Sequence, residues 1–179
     1  QPLGTWNTAA VTSMQAMFQL TGSFNQPLGT WNTAAATNIS YMFDGAAAFN
    51  QPLGTWNTTA VTNMSFMFRD ASSFNQSLGA WNLNASVNMA SMLSNCGMDC
   101  SNYSATLIGW ANNPATPSGR SLGANGRQYS VTAAAARTTL TTTKSWTITG
   151  DAPAPVTAAE AGSNEAICSL TTTLAGNTP

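Results

Sequence analysis

The most regular polar side chains in this chain are threonines and asparagines that recur every 25 residues. One threonine and one asparagine flank each repeated tryptophan except Trp81. In an extended strand the tryptophan would point to one side and its two neighbours to the other. Hydroxyl and amide groups donate and accept hydrogen bonds, so a row of them can bind sugars, proteins or another ordered surface. The predicted binding residues are Thr5, Asn7, Thr30, Asn32, Thr55, Asn57 and Asn82.

A purely structural role is the alternative for these columns. Adjacent strands lie about 4.8 Å apart, so asparagines of successive units can hydrogen-bond to one another and stabilise the stack. The fourth unit contributes Ala80 in place of threonine. Regular threonine rows at such a spacing also suggest ice binding as a remote alternative.

The residue types and their spacing do not indicate a catalytic site. The absence of histidine removes His-based triads and His metal sites. No carboxylates have the spacing of a paired acid and base or of a calcium loop. Asp44 and Asp70 occupy the same loop of successive units, offset by one position, and are predicted to be solvated. We therefore expect no enzyme, no metal and no cofactor. The carboxylates are Asp44, Asp70, Asp99, Asp151, Glu160 and Glu165.

The three cysteines indicate an oxidising compartment rather than a reactive site. Cys96 and Cys100 lie four positions apart, without the C-x-x-C spacing of a redox pair and without further metal ligands. A small disulfide closing the end of the repeats is predicted, and two free thiols are the alternative. The odd count predicts that Cys168 pairs with a residue beyond Pro179.

Charge is scarce along the whole sequence. Only 6% of the residues are charged, against about 25% in an average soluble domain. Four arginines and one lysine, all scattered, exclude a nucleic-acid interface. No apolar run reaches the roughly 20 residues that span a bilayer. Phe-Asn precedes Gln26, Gln51 and Gln76 but not Gln1, so we expect a fragment that lacks any upstream export signal.

The period itself predicts the architecture. Four near-copies of one unit fill residues 1–100, and a fixed period of this length is typical of a solenoid. We predict an α/β solenoid, a right-handed coil of leucine-rich-repeat type with a short parallel strand per unit on Leu-Gly-Thr-Trp-Asn-Thr. The Val-x-x-Met-x-x-Met-Phe stretch predicts a helical turn, and a strand over 61–66 is the rival assignment. The methionines predicted in the core are Met14, Met17, Met64, Met67, Met89 and Met92.

The remaining sequence divides into three parts. Residues 101–150 predict a C-terminal cap with a helix over 103–110, a second helix from about Ser130 and a strand over 145–149. The proline-containing segment 151–163 predicts an extended linker. Residues 164–179 predict the truncated start of a further β-rich module.

Residues 49–68 read Phe-Asn-Gln-Pro-Leu-Gly-Thr-Trp-Asn-Thr-Thr-Ala-Val-Thr-Asn-Met-Ser-Phe-Met-Phe. This pattern resembles the BspA-like leucine-rich-repeat surface proteins, and the resemblance covers residues 1–93. The tail over 165–179 resembles the start of an immunoglobulin-like repeat found in very large surface proteins of gliding bacteria that use type IX secretion. The two resemblances together imply a slice of a large, extracellular, cell-surface adhesin.

The resemblance also implies what such a module does. Members of the family are linked to adhesion and share no catalytic residues. The expected partners are a surface glycan or protein ligand, or the secretion or motility machinery of the cell envelope. A non-enzymatic adhesion module, serving surface attachment or gliding motility, is therefore the leading hypothesis. A passive spacer in a long surface filament is the alternative, and ice or glycan binding through the Thr/Asn ladder is a remote one.

Overall fold

The computed structural model describes residues 2–155 and Cys168. Its first part consists of the four 25-residue units, called units 1 to 4 below (1–25, 26–50, 51–75 and 76–100). Residues 2–99 form turns, with neither a helix nor a strand. Single residues of successive units pair as isolated parallel bridges that join Ser13, Asn38, Asn63 and Asn88 in turn.

The predicted fold class, an α/β solenoid of leucine-rich-repeat type with a strand in each unit, is therefore wrong. The segment predicted as a strand is a tight turn, because the N–H of Trp31 donates to the carbonyl of Leu28 at 3.1 Å. Both residues are buried at the two ends of this turn. The L-x-x-W spacing thus results from a turn that points two side chains inward, and not from the alternation of a strand.

The predicted helical turn over the Val-x-x-Met-x-x-Met-Phe stretch is also wrong. A helix would direct each N–H to the carbonyl four residues back. The N–H groups of Met64, Phe66 and Phe68 instead donate to carbonyls of unit 4 at 2.8, 2.9 and 3.0 Å. Every second N–H in this stretch thus bonds along the stack. The rival strand over 61–66 matches the structure only at Asn63, which forms a bridge.

The apolar columns lie inside the stack of units. Met64, Met67 and Phe68 have no exposed surface. The rings of Phe43 and Phe68 stack with centroids 5.6 Å apart, which favours the regular superposition of the units. Met17 differs from the other methionines predicted in the core, since 41% of its surface is exposed on unit 1.

The second part of the chain has short regular elements. Helix α1 spans Cys100–Asn112, so it contains the predicted helix over 103–110 and extends it by three residues at the start and two at the end. Helix α2 spans Val131–Thr138, directly after Ser130, near which a helix was predicted to start. A π-helical turn, Thr139–Thr143, follows α2. Of the strand predicted over 145–149, residues 147–149 form β3. The other three strands were not predicted. The strands are β1 (Ser121–Gly123), β2 (Gln128–Tyr129), β3 (Thr147–Thr149) and β4 (Ala152–Pro153).

These elements form two parallel pairs, β1 with β3 and β2 with β4. Leu122 in β1 pairs with Ile148 in β3, and it also bridges to Met89 of unit 4. The row of bridges between the units therefore continues into β1 and β3, although the sequence there has lost the 25-residue pattern.

Helix α1 joins unit 3 through polar groups that repeat the pattern between units. Asn50 accepts from the N–H of Asn75 and from the amide of Gln76. One step further along, Asn75 accepts from the N–H of Asp99 and from the amide of Asn102. Asp99 also caps the helix by accepting the N–H of Asn102 at 2.7 Å. The start of α1 thus continues the column in which each unit binds its neighbour.

The segment that follows β3 is fastened by a buried carboxylate. Asp151 accepts two bonds from the Arg137 guanidinium at 2.7 Å each and one from the hydroxyl of Tyr103 at 3.0 Å. Asp151, Ala152 and Pro153, which the sequence assigns to the linker, therefore belong to the folded part. Residues 156–163 of that linker and the predicted module over 164–179, except Cys168, lie outside the described residues.

The buried cluster of Tyr103, Arg137 and Asp151 predicts a loss of stability at alkaline pH. Burial and the adjacent Asp151 carboxylate raise the pKa of Tyr103 above its ordinary value. Above pH about 10, tyrosine ionises in the unfolded chain but not in the folded one, so the free energy of unfolding falls as pH rises. We expect one proton to contribute a slope of about 1.4 kcal/mol per pH unit.

Urea unfolding between pH 8 and 11 measures this slope. Tyr103→Phe should remove the contribution of one proton, while Tyr41→Phe at a half-buried site serves as the matched control. Equal slopes for the wild type and Tyr103→Phe would contradict the assignment.

Within residues 2–155, no helix combines the length and the hydropathy needed to cross a bilayer.

Candidate functional site

The asparagines of the predicted binding row are exposed, but their side chains bond within their own units. Asn7, Asn32 and Asn57 each accept the backbone N–H two residues ahead, at 3.2, 3.1 and 3.1 Å. Asn82 instead accepts from the side-chain amide of Asn113 at 2.8 Å. The side-chain oxygens of Asn7, Asn32 and Asn57 thus stabilise turns, and that of Asn82 holds the residue that follows α1.

The threonines of this row bond between units. The hydroxyl of Thr30 donates to the carbonyl of Gly4 at 3.0 Å, and that of Thr55 donates to Gly29 at 2.9 Å. Thr5 of unit 1 is exposed and has no such bond among the described residues. The hydroxyls of Thr30 and Thr55 therefore hold neighbouring units together.

A second threonine column, which sequence reasoning missed, lies inside. The hydroxyls of Thr33 and Thr58 donate to the carbonyls of Asn57 and Asn82 at 3.0 and 2.8 Å. Both threonines are buried. Their spacing of 25 residues was the available signal, since a threonine repeated beside a buried tryptophan can bond to the next unit.

A shallow groove of about 260 Å³ lies at the corner beside the predicted row. Pro27 and Pro52 line it with apolar surface, and Gly4, Gly29 and Thr30 complete it. A Cβ added to Gly29 would have its nearest neighbour at 3.6 Å, the carbonyl oxygen of Pro52, so the absent side chain keeps this groove open. Of the predicted binding residues, Thr30 is the one that lines it.

A second surface feature joins charge and aromatic rings in units 2 and 3. The guanidinium of Arg69 donates to both carboxylate oxygens of Asp44 at 2.8 Å each. Its carbon lies 4.8 Å from the centroid of Phe66 and 6.0 Å from that of Tyr41. Asp70 approaches Arg69 at 3.6 Å. We call Tyr41, Asp44, Phe66, Arg69 and Asp70 the Arg69 patch.

The prediction of a solvated loop is wrong for Asp44. Only 3% of its side chain is exposed, because Arg69 covers it and the amide of Gln19 donates to it at 2.9 Å. The hydrogen bond to Asp44 raises the pKa of Arg69. Asp70 is solvated as predicted, with 54% of its side chain exposed. The spacing of Asp44 and Arg69, one full period, was the signal for this ion pair.

The cysteines are not paired as predicted. Cys100 forms a disulfide with Cys168, and Cys96 is a free, buried thiol. Cys100 begins α1, whereas Cys96 lies in the core with 2% of its surface exposed. The Cys96–Cys100 disulfide and the assignment of Cys168 to a partner beyond Pro179 are therefore both wrong.

Peptide mapping without reduction should show a Cys100–Cys168 linked peptide. Burial raises the pKa of the Cys96 thiol, so we expect alkylation of Cys96 only after denaturation, because the thiolate is the reactive form. A Cys96–Cys100 link, or rapid native alkylation of Cys96, would contradict this pairing.

The described part of the chain holds no group of three or more His, Cys, Asp or Glu side chains that could bind a metal ion. The surface instead offers two places for a ligand, the corner groove and the Arg69 patch.

Comparison with known proteins bears on the units. Residues 1–106 match the family described as Mycoplasma protein of unknown function, DUF285. This match covers the four units and the first half of α1. No curated protein matches the chain. No solved structure matches it.

Proposed function

The chain belongs to the DUF285 family of Mycoplasma proteins, and we propose that it is a non-enzymatic interaction module of an extracellular, cell-surface protein. The corner groove carries this proposal, because it is a concave, mostly apolar surface built by the repeated Pro-Leu-Gly-Thr corners of successive units. The uncharged surface around it suits a neutral glycan or protein ligand rather than nucleic acid.

Attachment during gliding, by a protein exported through type IX secretion, is the finer form of this proposal. It is supported by the resemblance of residues 165–179 to very large surface proteins. These residues, apart from Cys168, lie outside the described part.

A glycan and protein array probed with the whole chain tests the proposal. Gly29→Val fills the groove and is expected to lower binding, while Gly54→Val is the matched control, because a Cβ at Gly54 meets nothing within 4 Å and the residue does not line the groove. Absence of binding to any cell surface, matrix or polysaccharide would count against an interaction role.

A passive spacer is the second candidate function, favoured by the bonds within the predicted row. Since Asn32, Asn57, Thr30 and Thr55 all bond inside the protein, their repetition is explained without a ligand. The double variant Asn32→Ala and Asn57→Ala separates the two roles. A spacer loses up to about 1 kcal/mol per lost bond and no adhesion beyond what unfolding explains. Loss of adhesion at full stability would overturn the spacer.

A further inference from the structure

Three of the four charged residues of the units lie in one place, and the fourth, Asp99, caps α1. Between residues 2 and 98 the charged residues are Asp44, Arg69 and Asp70, and all three belong to the Arg69 patch. We infer that this patch is a binding site for a neutral saccharide, which packs against the rings of Tyr41 and Phe66 and hydrogen-bonds to Arg69 and Asp70. The inference rests on the proposed interaction role and adds to the corner groove a second site with its own ligand class.

The two rings leave aromatic surface open. Tyr41 and Phe66 stack on each other with centroids 4.8 Å apart and planes within 13°. The same position carries Ala16 in unit 1 and Ser91 in unit 4, so the stack of rings ends after two members. Both side chains are half-buried, and neither pair member has an aromatic residue at the equivalent position of the next unit outward. An aromatic face carries negative potential and attracts the polarised C–H bonds of a sugar ring.

The fold does not require rings at this position. Tyr41 and Phe66 have φ of 58° and 59°, as Ala16 and Ser91 have φ of 55° and 51°. Each unit thus places a left-handed residue here, a conformation that is unusual for bulky side chains. Alanine and serine satisfy the turn in the outer units. The aromatic side chains of the central units add surface that the turn itself does not need.

The polar groups of the patch complement hydroxyls. Arg69 uses Nε and Nη2 to hold Asp44, while Nη1 has no partner among the described residues. The Asp70 carboxylate is half-exposed and accepts the side-chain amide of Asn95 at 3.0 Å. One donor and one acceptor beside an aromatic face match adjacent hydroxyls on one pyranose, and hydrogen bonds to charged groups are the stronger ones.

Charge selects among saccharides. Two carboxylates against one guanidinium give the patch a net charge of −1. Because Asp44 already occupies Arg69 with two hydrogen bonds, an acidic sugar would meet Asp70 without a free ion-pair partner. The patch should therefore bind neutral saccharides and reject uronic acids.

Nuclear magnetic resonance titration of the whole chain tests the site. The neutral probes are cellohexaose, mannohexaose and xylohexaose, and hexagalacturonic acid is the acidic probe. We expect at least one neutral probe to shift the signals of Arg69, Asp70 and their neighbours saturably at millimolar concentration. Shifts confined to the corner groove, no shifts with any neutral probe, or tighter binding of hexagalacturonic acid would overturn the inference.

Variants complete the test. Tyr41→Leu with Phe66→Leu should weaken binding about tenfold or more, because it removes both aromatic faces and keeps apolar bulk. Trp6→Leu is the matched control, since Trp6 is 52% exposed and lies outside the patch. Asp70→Asn changes one exposed group and should also weaken binding, which keeps the test valid if the double variant unfolds. Unchanged affinity in the folded variants would overturn the site.

The outcome is separable from that of the proposed function. If the wild type binds on the array and the double variant binds equally well, the saccharide site is wrong and the interaction role stands. If the wild type binds nothing on the array and no hexaose in solution, both are wrong.

Discussion

Replacing Trp81 by alanine is expected to lower the free energy of unfolding by about 3–5 kcal/mol, the usual cost of deleting a large buried aromatic side chain. The indole has no exposed surface, and its N–H donates to the carbonyl of Leu53 in unit 3 at 2.9 Å. The substitution therefore opens a cavity against Phe68, whose centroid lies 6.4 Å away. The Leu53 carbonyl loses the indole as a donor but keeps the backbone N–H of Trp56 at 3.1 Å, so no buried polar group is left unpaired.

Trp6 offers the matched control within the same column. It occupies the equivalent position of unit 1 but is 52% exposed, and its indole nitrogen has no hydrogen-bond partner among the described residues. We expect Trp6→Ala to cost about 1 kcal/mol or less, as surface substitutions generally do. Urea denaturation followed by circular dichroism measures both variants. Equal losses would show that the tryptophan column does not gain its stability from contacts between units.

The substitution Asp151→Ala is expected to cost about 3–5 kcal/mol, because it removes one partner of a buried ion pair and leaves the other uncompensated. The Asp151 side chain has no exposed surface, and 25% of the Arg137 side chain is exposed. The Tyr103 hydroxyl loses its acceptor in the same step. The Arg137 guanidinium stays charged in the variant, because arginine is not deprotonated in proteins, so it cannot escape the cost by neutralising.

Asp70→Asn is the control for this prediction, because asparagine removes the charge but still tolerates the left-handed φ of 57° and can still accept the amide of Asn95. The Asp70 carboxylate lies 3.6 Å from Arg69 and is half-exposed, so solvent screens the pair. We expect a change below about 0.5 kcal/mol, in keeping with exposed ion pairs. Thermal unfolding of both variants distinguishes them. A small effect of Asp151→Ala would mean that β4 does not depend on this cluster.

The period predicted which columns form the core but not the backbone between them. Leu28, Trp31 and Phe43 are buried as their repetition indicates, because a residue type kept at one position of each unit contacts its own copies in the stack. The backbone conformation between Leu28 and Trp31 was predicted wrongly, because a spacing of three residues is compatible with both a strand-like motif and a closed turn. Only the N–H of Trp31, bonded back to Leu28, decides between them.

The candidate site was predictable in part. Thr30 and Asn57 are exposed, but their side chains bond within the protein, and the turn at Leu28–Trp31 is not the strand from whose alternation the row was predicted. A sequence shows the type of a polar group, but it does not show whether that group is already hydrogen-bonded to a neighbouring backbone group. The ion pair of the Arg69 patch was predictable, because Asp44 and Arg69 lie one period apart and therefore lie at equivalent positions of successive units. The Cys100–Cys168 disulfide could not be predicted from the sequence, because the two cysteines lie 68 residues apart and no repeat relates them.

The bonds between units join residues about one period apart, which has a consequence for how the chain folds and opens. Ordering a unit on a structured neighbour closes a loop of the same length each time, at an entropic cost of about 3 kcal/mol before contacts repay it. Unit 4 is held by β1 on one side and by unit 3 on the other. Because each unit bonds mainly to its direct neighbours, one unit can open without unfolding the whole stack, so we expect backbone amides to exchange with solvent unit by unit rather than in one cooperative step.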